Sequence, residues 1–171
     1  FSRPITSLAE LREAVATYVV RAAEKLRKQQ QRAASLSVYT RTSPFAPGFY
    51  SRSASTHLDL PSNDTQMLLN AALPLVERIF QPHRQLAKAG VLMEHLQDTE
   101  QLQHHLLVPC SAAHLQRRDT LMNTIDELNR RYGRGTVQWA ACGLHSGWSM
   151  RRERLGRAAT TRLSDVPVVQ A

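Results

Sequence analysis

A ten-residue stretch, residues 36–45, restricts the fold more than any other part of this 171-residue chain. Its alternate positions are apolar on one side and polar on the other (Leu36 and Val38 against Ser37, Tyr39 and Arg41). Period-2 alternation with β-branched and aromatic residues predicts a half-buried strand. Because hydroxyls and guanidinium groups are common phosphate ligands, we expect a sheet with one face under helices and the other facing a polyanion.

The remaining segments supply partners for that strand. Residues 1–6 favour an edge strand, and the capping-box spacing of Ser7 and Glu10 begins a helix. Residues 53–60 predict the second strand of a hairpin, a helix with Pro74 inside it follows, and residues 88–97 predict a last strand. The order β-α-β-β-α-β predicts an α+β domain with a four-stranded antiparallel sheet and two helices on one face.

The C-terminal part follows a different pattern. Residues 98–110 lose periodicity and predict a linker, and a third helix ending at Gly133 with a strand candidate at 136–141 predicts a small α/β tail. The predicted division is therefore 1–97 for the first domain, 98–110 for the linker and 111–171 for the tail. A chain that begins at Phe1, without Met, is expected to be a piece of a longer protein.

Positive charge is in excess, with a formal net charge of +8. Nucleic acid or another anionic surface is the first partner that this excess favours, and a merely basic globular protein is the alternative. On the sheet side the cations are Arg3, Arg41, Arg52, Arg84 and Lys88. A second set, from Arg130 to Arg162, leaves DNA and an acidic protein both open as partners. No run of 18 apolar residues occurs, so we expect no membrane partner.

Patterns for catalysis and metal binding are missing from the sequence. The carboxylates are scattered rather than convergent on a Mg²⁺ site, and the histidines show no zinc spacing with Cys110. Cys142 follows apolar residues and is expected to be a small buried residue, and two unpaired cysteines favour a reducing cytoplasm. Gly133-Arg134-Gly135 is too short for a phosphate loop. We therefore expect no catalytic residue, metal or cofactor in this chain.

Several motifs, in order, resemble the C-terminal region of UmuC-type Y-family DNA polymerases. The first helix, the Arg41-Thr42-Ser43-Pro44-Phe45 motif and Lys88-Ala89-Gly90-Val91 resemble the little finger of that family. The run Arg130 to Gly135, then Trp148 to Glu153 and Thr160 to Arg162, resemble its C-terminal tail. The resemblance covers essentially the whole chain.

The resemblance implies a β-α-β-β-α-β little finger that holds the backbone of the template-primer duplex in an error-prone polymerase of SOS mutagenesis and DNA repair. Matching backbone-contacting positions are Tyr39, Arg41, Thr42, Ser43, Lys88 and Ala89. Whether Tyr39 touches DNA or packs at the sheet rim stays open. The catalytic domain, with its Mg²⁺, would lie outside this chain, and the parent enzyme would be a cytoplasmic, nucleoid-associated bacterial protein.

The same resemblance implies protein partners. A sliding-clamp peptide would be Gln103-His104-His105-Leu106-Leu107, with Gln103, Leu106 and Leu107 as the anchoring residues, and a plain linker is the alternative. A processed UmuD-type accessory dimer and a recombinase filament are the other partners implied, so a protein-interaction module is the second function to weigh.

Overall fold

The computed structural model describes residues 1–45, 47–99, 112–144 and 147–149 of the chain. Within these residues three helices and three strands form an α+β fold, as expected from the sequence. In chain order they are α1 (Leu8–Lys28), β1 (Gln31–Thr42), β2 (Ser51–Ser62), α2 (Thr65–Ile79), β3 (Leu86–Asp98) and α3 (Ala112–Tyr132). A single 3₁₀ turn, Ala140–Cys142, follows α3.

The sheet is antiparallel, and its strand order within the described residues is β2-β1-β3. The four-stranded sheet expected from the sequence is not confirmed, because the segment before α1 contributes only an isolated bridge between Ile5 and Leu86. Pro4 has no N–H to donate and α1 begins at Leu8, so only a few residues remain that could pair. The fourth strand is thereby reduced to one residue beside β3.

The alternation in β1 produces the predicted division of the sheet into two faces. Leu36, Val38 and Thr40 are fully buried, and Leu36 and Val38 join the side chains of α1 and α2 in one hydrophobic core, which includes Val15 and Leu68. Both helices therefore cover the same face, and the Ser37, Tyr39 and Arg41 positions lie on the other. From α1 to β3 the order of elements agrees with the sequence prediction, and so does the sidedness of the strand.

Helix α1 begins where the sequence predicts, but without the predicted capping box. Ser7 is the N-cap residue in an extended conformation and makes no side-chain capping bond. The Glu10 carboxylate, which the box would use, is instead paired with the Arg3 guanidinium. A carboxylate held by a nearby cation is not available to the N-cap amide, so the helix start depends on packing of its apolar face.

Asp64 is the residue that caps α2. Its Oδ1 accepts hydrogen bonds from the backbone N–H groups of Gln66 at 2.8 Å and Met67 at 3.3 Å. Helix α2 continues through Pro74, whose position is exposed, so the carbonyl left without a helical donor faces water. Strand β2 likewise extends past Pro61, which an edge strand tolerates because one side of its backbone has no partner strand.

The segment after α3 packs against α1 through its last described residues. Trp148 is buried in the main core, and its ring meets Tyr18 of α1 edge-on at 5.7 Å between centroids. Gly133 follows α3 with φ 107°, as expected for a C′ residue. The strand expected at 136–141 is wrong: the Asn129 side chain binds both the N–H (2.9 Å) and the carbonyl (3.1 Å) of Val137, so neither group is free for a ladder.

Candidate nucleic-acid interface

The uncovered face of the sheet presents a row of small and polar side chains. Antiparallel register places directly opposite residues on the same face. The three rows that include Ser37, Tyr39 and Arg41 run across all strands: Ser55-Ser37-Leu92, Ser53-Tyr39-Gly90 and Ser51-Arg41-Lys88. The last of these rows is cationic and lies at the end of the sheet next to the β1–β2 loop.

Arg41 and Lys88 are the centre of the candidate interface. They are direct cross-strand partners, and neither forms an ion pair within the described residues. A shallow depression of about 380 Å³ lies beside them. The two cations share its wall with Thr42, Ser43 and Ala89. Two cations and a hydroxyl group around an open concavity can hold a phosphate group but provide no means to read base edges.

Five of the nine predicted DNA-contacting residues therefore meet at one place. Two of the five, Thr42 and Ala89, have side chains turned toward the helices and are nearly buried, with 6% and 7% exposure. Their side chains are therefore not offered to a ligand, and the Thr42 N–H is already used, because it donates to the Tyr50 carbonyl. Ser43, directly after β1, is half-buried, and its hydroxyl oxygen accepts a hydrogen bond from the Phe45 N–H at 3.3 Å, which leaves the hydroxyl proton for a ligand.

Tyr39 lies flat against β3, on the same face as the two cations. A Cβ added to Gly90 would stand 2.5 Å from both the ring Cζ and the hydroxyl oxygen, so the ring occupies the space that a side chain at Gly90 would need. Glycine inside a strand commonly marks such a close approach. The ring therefore packs at the sheet surface, and its half-buried position still leaves part of it at the uncovered face.

Acidic and histidine side chains occupy the opposite end of the same face, which sequence patterns did not indicate. The Ser37 hydroxyl donates to the Glu94 carboxylate at 2.6 Å, and Ser35 Oγ lies 2.8 Å from His95 Nδ1. The His57 ring is 6.1 Å from the His95 ring. A carboxylate at this end repels anions, so of the two ends of this face the Arg41–Lys88 end is the one that favours a phosphate group.

Three other predicted contacts lie away from the depression. Arg52 is opposite Thr40 and hence on the side of the sheet that carries the helices, and its guanidinium lies 6.0 Å from the Tyr50 ring centroid. Arg84 is 5.4 Å from the same ring. Arg3 is held by Glu10. All three stay predictions as DNA contacts; Arg52 and Arg84 share the Tyr50 ring, whereas Arg3 pairs with a carboxylate.

Helix α3 is attached to the first domain by ion pairs that sequence patterns did not reveal. Asp126 accepts two hydrogen bonds from Arg27, at 2.6 and 2.8 Å, and Asp64 accepts two from Arg118, at 2.6 and 2.7 Å. Arg32 Nη2 lies 3.1 Å from Asp119 Oδ2. Burial raises the pKa of the Asp64 carboxyl, but the hydrogen bond and charge of Arg118 together with the two helix amides bring it below its ordinary value.

A larger cavity of about 830 Å³ lies between α1, α3 and the segment after Gly133. Its wall mixes ion-paired side chains with apolar ones such as Val20 and Trp139. Cys142 lines it and is half-buried, and burial raises the pKa of its thiol, with smaller opposing contributions from Thr17 and Arg21. A thiol with a raised pKa is a poor nucleophile at neutral pH, because the thiolate is the reactive form.

The described residues contain neither a cluster of metal-binding side chains nor a membrane-spanning helix. In the part of the chain that the structure describes, no three His, Cys, Asp or Glu side chains come together in a group that could hold a metal ion. Within those residues, too, no helix has the length and hydropathy needed to span a membrane. The clamp-type peptide with Gln103, Leu106 and Leu107 lies outside the described residues, as do Cys110 and the cations from 151 to 162.

Comparisons with known proteins bear on the whole chain. Residues 1–106 match the family described as the impB/mucB/samB family C-terminal domain, and residues 119–169 match a domain of unknown function (DUF4113). Protein UmuC of Salmonella typhimurium is 34% identical over 97% of the chain, and Protein SamB of the same organism is 33% identical over 99%. Protein MucB of Escherichia coli is 31% identical over 98%.

The chain spans about 40% of the length of these relatives: 39% of Protein UmuC and 40% of Protein SamB. The first family covers more than half of the chain, and it agrees with the motif order and with the α+β fold described above. The chain therefore belongs to the impB/mucB/samB family and corresponds to the C-terminal region of UmuC-type Y-family polymerases.

Proposed function

We propose that this region is the non-catalytic DNA-binding part of an error-prone translesion DNA polymerase, and that its uncovered sheet face grips the backbone of the template-primer duplex. The observation that carries the proposal is the cross-strand pair of Arg41 and Lys88 beside the shallow depression. Two cations without carboxylate partners in the described residues supply attraction, and the neighbouring Ser43 hydroxyl supplies a hydrogen bond to a phosphate oxygen.

Such a grip fits the needs of a polymerase that copies damaged templates. Contacts to phosphates hold the duplex in register but carry no sequence information. An open depression about 380 Å³ in volume, rather than a deep slot, also lets a duplex move past as synthesis proceeds. The catalytic residues, and the Mg²⁺ that they would bind, belong in this proposal to the part of the polymerase outside the chain, and the protein acts at the bacterial nucleoid in SOS mutagenesis and DNA repair.

Fluorescence anisotropy with the full 171-residue chain and a labelled duplex tests the proposal. The slope of log K against log salt is negative, and each phosphate contact removed reduces its magnitude by about 0.9. Arg41→Ala/Lys88→Ala should therefore reduce the magnitude by about 1.8. The matched control is Lys25→Ala/Arg117→Ala, which removes the same charges from exposed helix positions away from the sheet. Affinity that is unchanged by the Arg41/Lys88 pair and flat against salt would sink the proposal.

A second candidate function is recruitment of protein partners, such as a sliding clamp, a UmuD-type dimer or a recombinase filament. The peptide containing Gln103 and Leu106 favours the clamp, and the cavity between α1 and α3 offers a separate concave surface of mixed polarity. Purified clamp should retain the wild-type chain in a pull-down but should not retain the variant that combines Gln103→Ala with Leu106→Ala. Clamp binding that survives both substitutions would rule out this peptide as the anchor.

A further inference from the structure

The β1–β2 loop exposes two aromatic rings on a firmly held base. Phe45 is 96% exposed and Phe49 56%, although large apolar side chains gain free energy by burial. At its base, Thr42 N–H donates to the Tyr50 carbonyl and Tyr50 N–H to the Thr42 hydroxyl, both at 2.9 Å. The buried Tyr50 hydroxyl also donates to the Ile79 carbonyl at 2.8 Å. The rings thus project from a base that the core fixes in place.

Two guanidinium groups accompany the rings. Arg84 and Arg52 lie 5.4 and 6.0 Å from the Tyr50 centroid, and Arg84 donates to the carbonyl of Gly48 inside the loop at 3.4 Å. Within the described residues neither Arg52 nor Arg84 forms an ion pair. Residues 25–58 and 78–93 contain no Asp or Glu at all, so the segments that build this end of the sheet are cationic throughout.

Exposed rings next to guanidinium groups that no carboxylate neutralises are the combination that binds single-stranded nucleic acid. Bases stack on aromatic side chains regardless of sequence, and arginines hold the phosphates between them. A protein-docking surface would instead gather apolar residues into one patch, whereas here two separate rings are flanked by positive charge. Charge complementarity therefore favours an unpaired DNA strand over an apolar protein surface.

We infer that the β1–β2 loop is a stacking site for unpaired bases, with Phe45 and Phe49 as the platforms and Arg52 and Arg84 as the phosphate contacts. The loop leaves β1 at Ser43, which also lines the depression beside Arg41 and Lys88. A single strand on the loop would therefore lie next to a duplex on the sheet face. This site recognises the junction between paired and unpaired template, a property that duplex binding alone does not provide.

The test compares three labelled DNAs bound to the full chain: a single strand, a blunt duplex and a duplex with a single-stranded overhang. Phe45→Leu and Phe49→Leu keep an apolar side chain but remove the ring, and each should weaken single-strand binding at least about fivefold. Blunt-duplex affinity should stay at the wild-type value. Leu121→Ser, which removes exposed apolar surface from α3, is the control and should change neither.

The outcomes separate this site from the duplex grip. Arg52→Ala/Arg84→Ala should lower the affinity for the overhang DNA more than the affinity for the blunt duplex. Arg41→Ala/Lys88→Ala should lower the affinity for the blunt duplex at least as much as the affinity for the overhang DNA. Leucine variants with wild-type single-strand affinity would overturn the inference, because an apolar contact without stacking, or a protein-docking loop, gives that result. An equal loss on blunt duplex and single strand would overturn it as well. Neither result depends on whether Arg41 and Lys88 bind the duplex.

Discussion

Asp64 has two structural roles, as the cap of α2 and as the ion-pair partner of α3, and different substitutions remove one or both of them. Its carboxylate caps α2 through the N–H groups of Gln66 and Met67, and it also receives two hydrogen bonds from Arg118 of α3. Asparagine caps a helix about as well as aspartate but carries no charge. Asp64→Asn should therefore remove the ion pair alone, and Asp64→Ala both the ion pair and the cap.

The size of each effect follows from the geometry. Loss of an N-cap side chain costs about 1 kcal/mol, within a range of about 0.5–2. The ion pair joins a carboxylate with a side-chain exposure of 7% to an arginine with 30%, so solvent screens it only partly, and about 1 kcal/mol is a reasonable magnitude after that discount. Asp64→Ala should thus lower the free energy of unfolding by about 2 kcal/mol, and Asp64→Asn should lower it by about 1 kcal/mol.

Thermal unfolding of the full chain measures both values. At about 2–4 °C per kcal/mol for a chain of this length, Asp64→Asn should lower Tm by roughly 2–4 °C and Asp64→Ala by twice that. Arg118→Ala should match Asp64→Asn, and the double variant Asp64→Asn/Arg118→Ala should add little to either single change. Hydrogen exchange should show faster opening of α3 in all of these variants. Equal Tm values for Asp64→Asn and Asp64→Ala would refute the capping role.

Acid pH gives an independent check of the same carboxylate. The pKa of Asp64 is lowered in the folded chain, so its ionised form stabilises the fold above the unfolded value of about 3.9. That stabilisation is lost as pH falls through the folded pKa. The Tm difference between wild type and Asp64→Asn should therefore be constant above about pH 5 and shrink below about pH 4. A difference that persists undiminished at lower pH contradicts this account.

Two further changes probe the ends of the candidate interface. Gly90→Ala should displace the Tyr39 ring, because the new methyl group would overlap it, and it should lower duplex affinity as much as Tyr39→Ala does; unchanged affinity in both variants would assign the ring to packing alone. Tyr50→Phe removes the donor for the Ile79 carbonyl at the base of the β1–β2 loop and should cost about 1–2 kcal/mol, measured by calorimetry. A wild-type Tm for this variant would show that water replaces the lost bond.

The local parts of the fold could be predicted from the sequence, because they depend on neighbouring residues. Alternation from Leu36 to Arg41 gave the correct faces of β1, and Gly133 ended α3 as expected. The failures involve side-chain contacts that hydrophobic periodicity does not encode, even where the two residues are only eight positions apart. Val137 lies in a segment with strand-like composition, but the Asn129 side chain takes both of its backbone groups, and no local pattern contains that contact.

The same limit applies to the candidate site. Arg41 and Lys88 were both expected at the interface, but only the β1–β3 register makes them direct partners. Register also explains why Arg52 lies on the other side of the sheet, since a shift of one residue moves a side chain from one face to the other. Composition alone grouped all five sheet-side cations together, although the fold divides them into separate sets.

The distribution of ion pairs distinguishes structural cations from those available to a ligand. Arg27 contacts Asp126, which is 99 positions away in the sequence, and its side chain is only 7% exposed. Such a partly buried pair is screened weakly by salt and can hold α3 in place at the ionic strengths that weaken DNA binding. Arg41 and Lys88 lie at the opposite end of β1 without a carboxylate partner in the described residues, and Lys88 is exposed. Salt should therefore release DNA from the chain well before it releases α3, which allows the two kinds of contact to be measured separately in one titration.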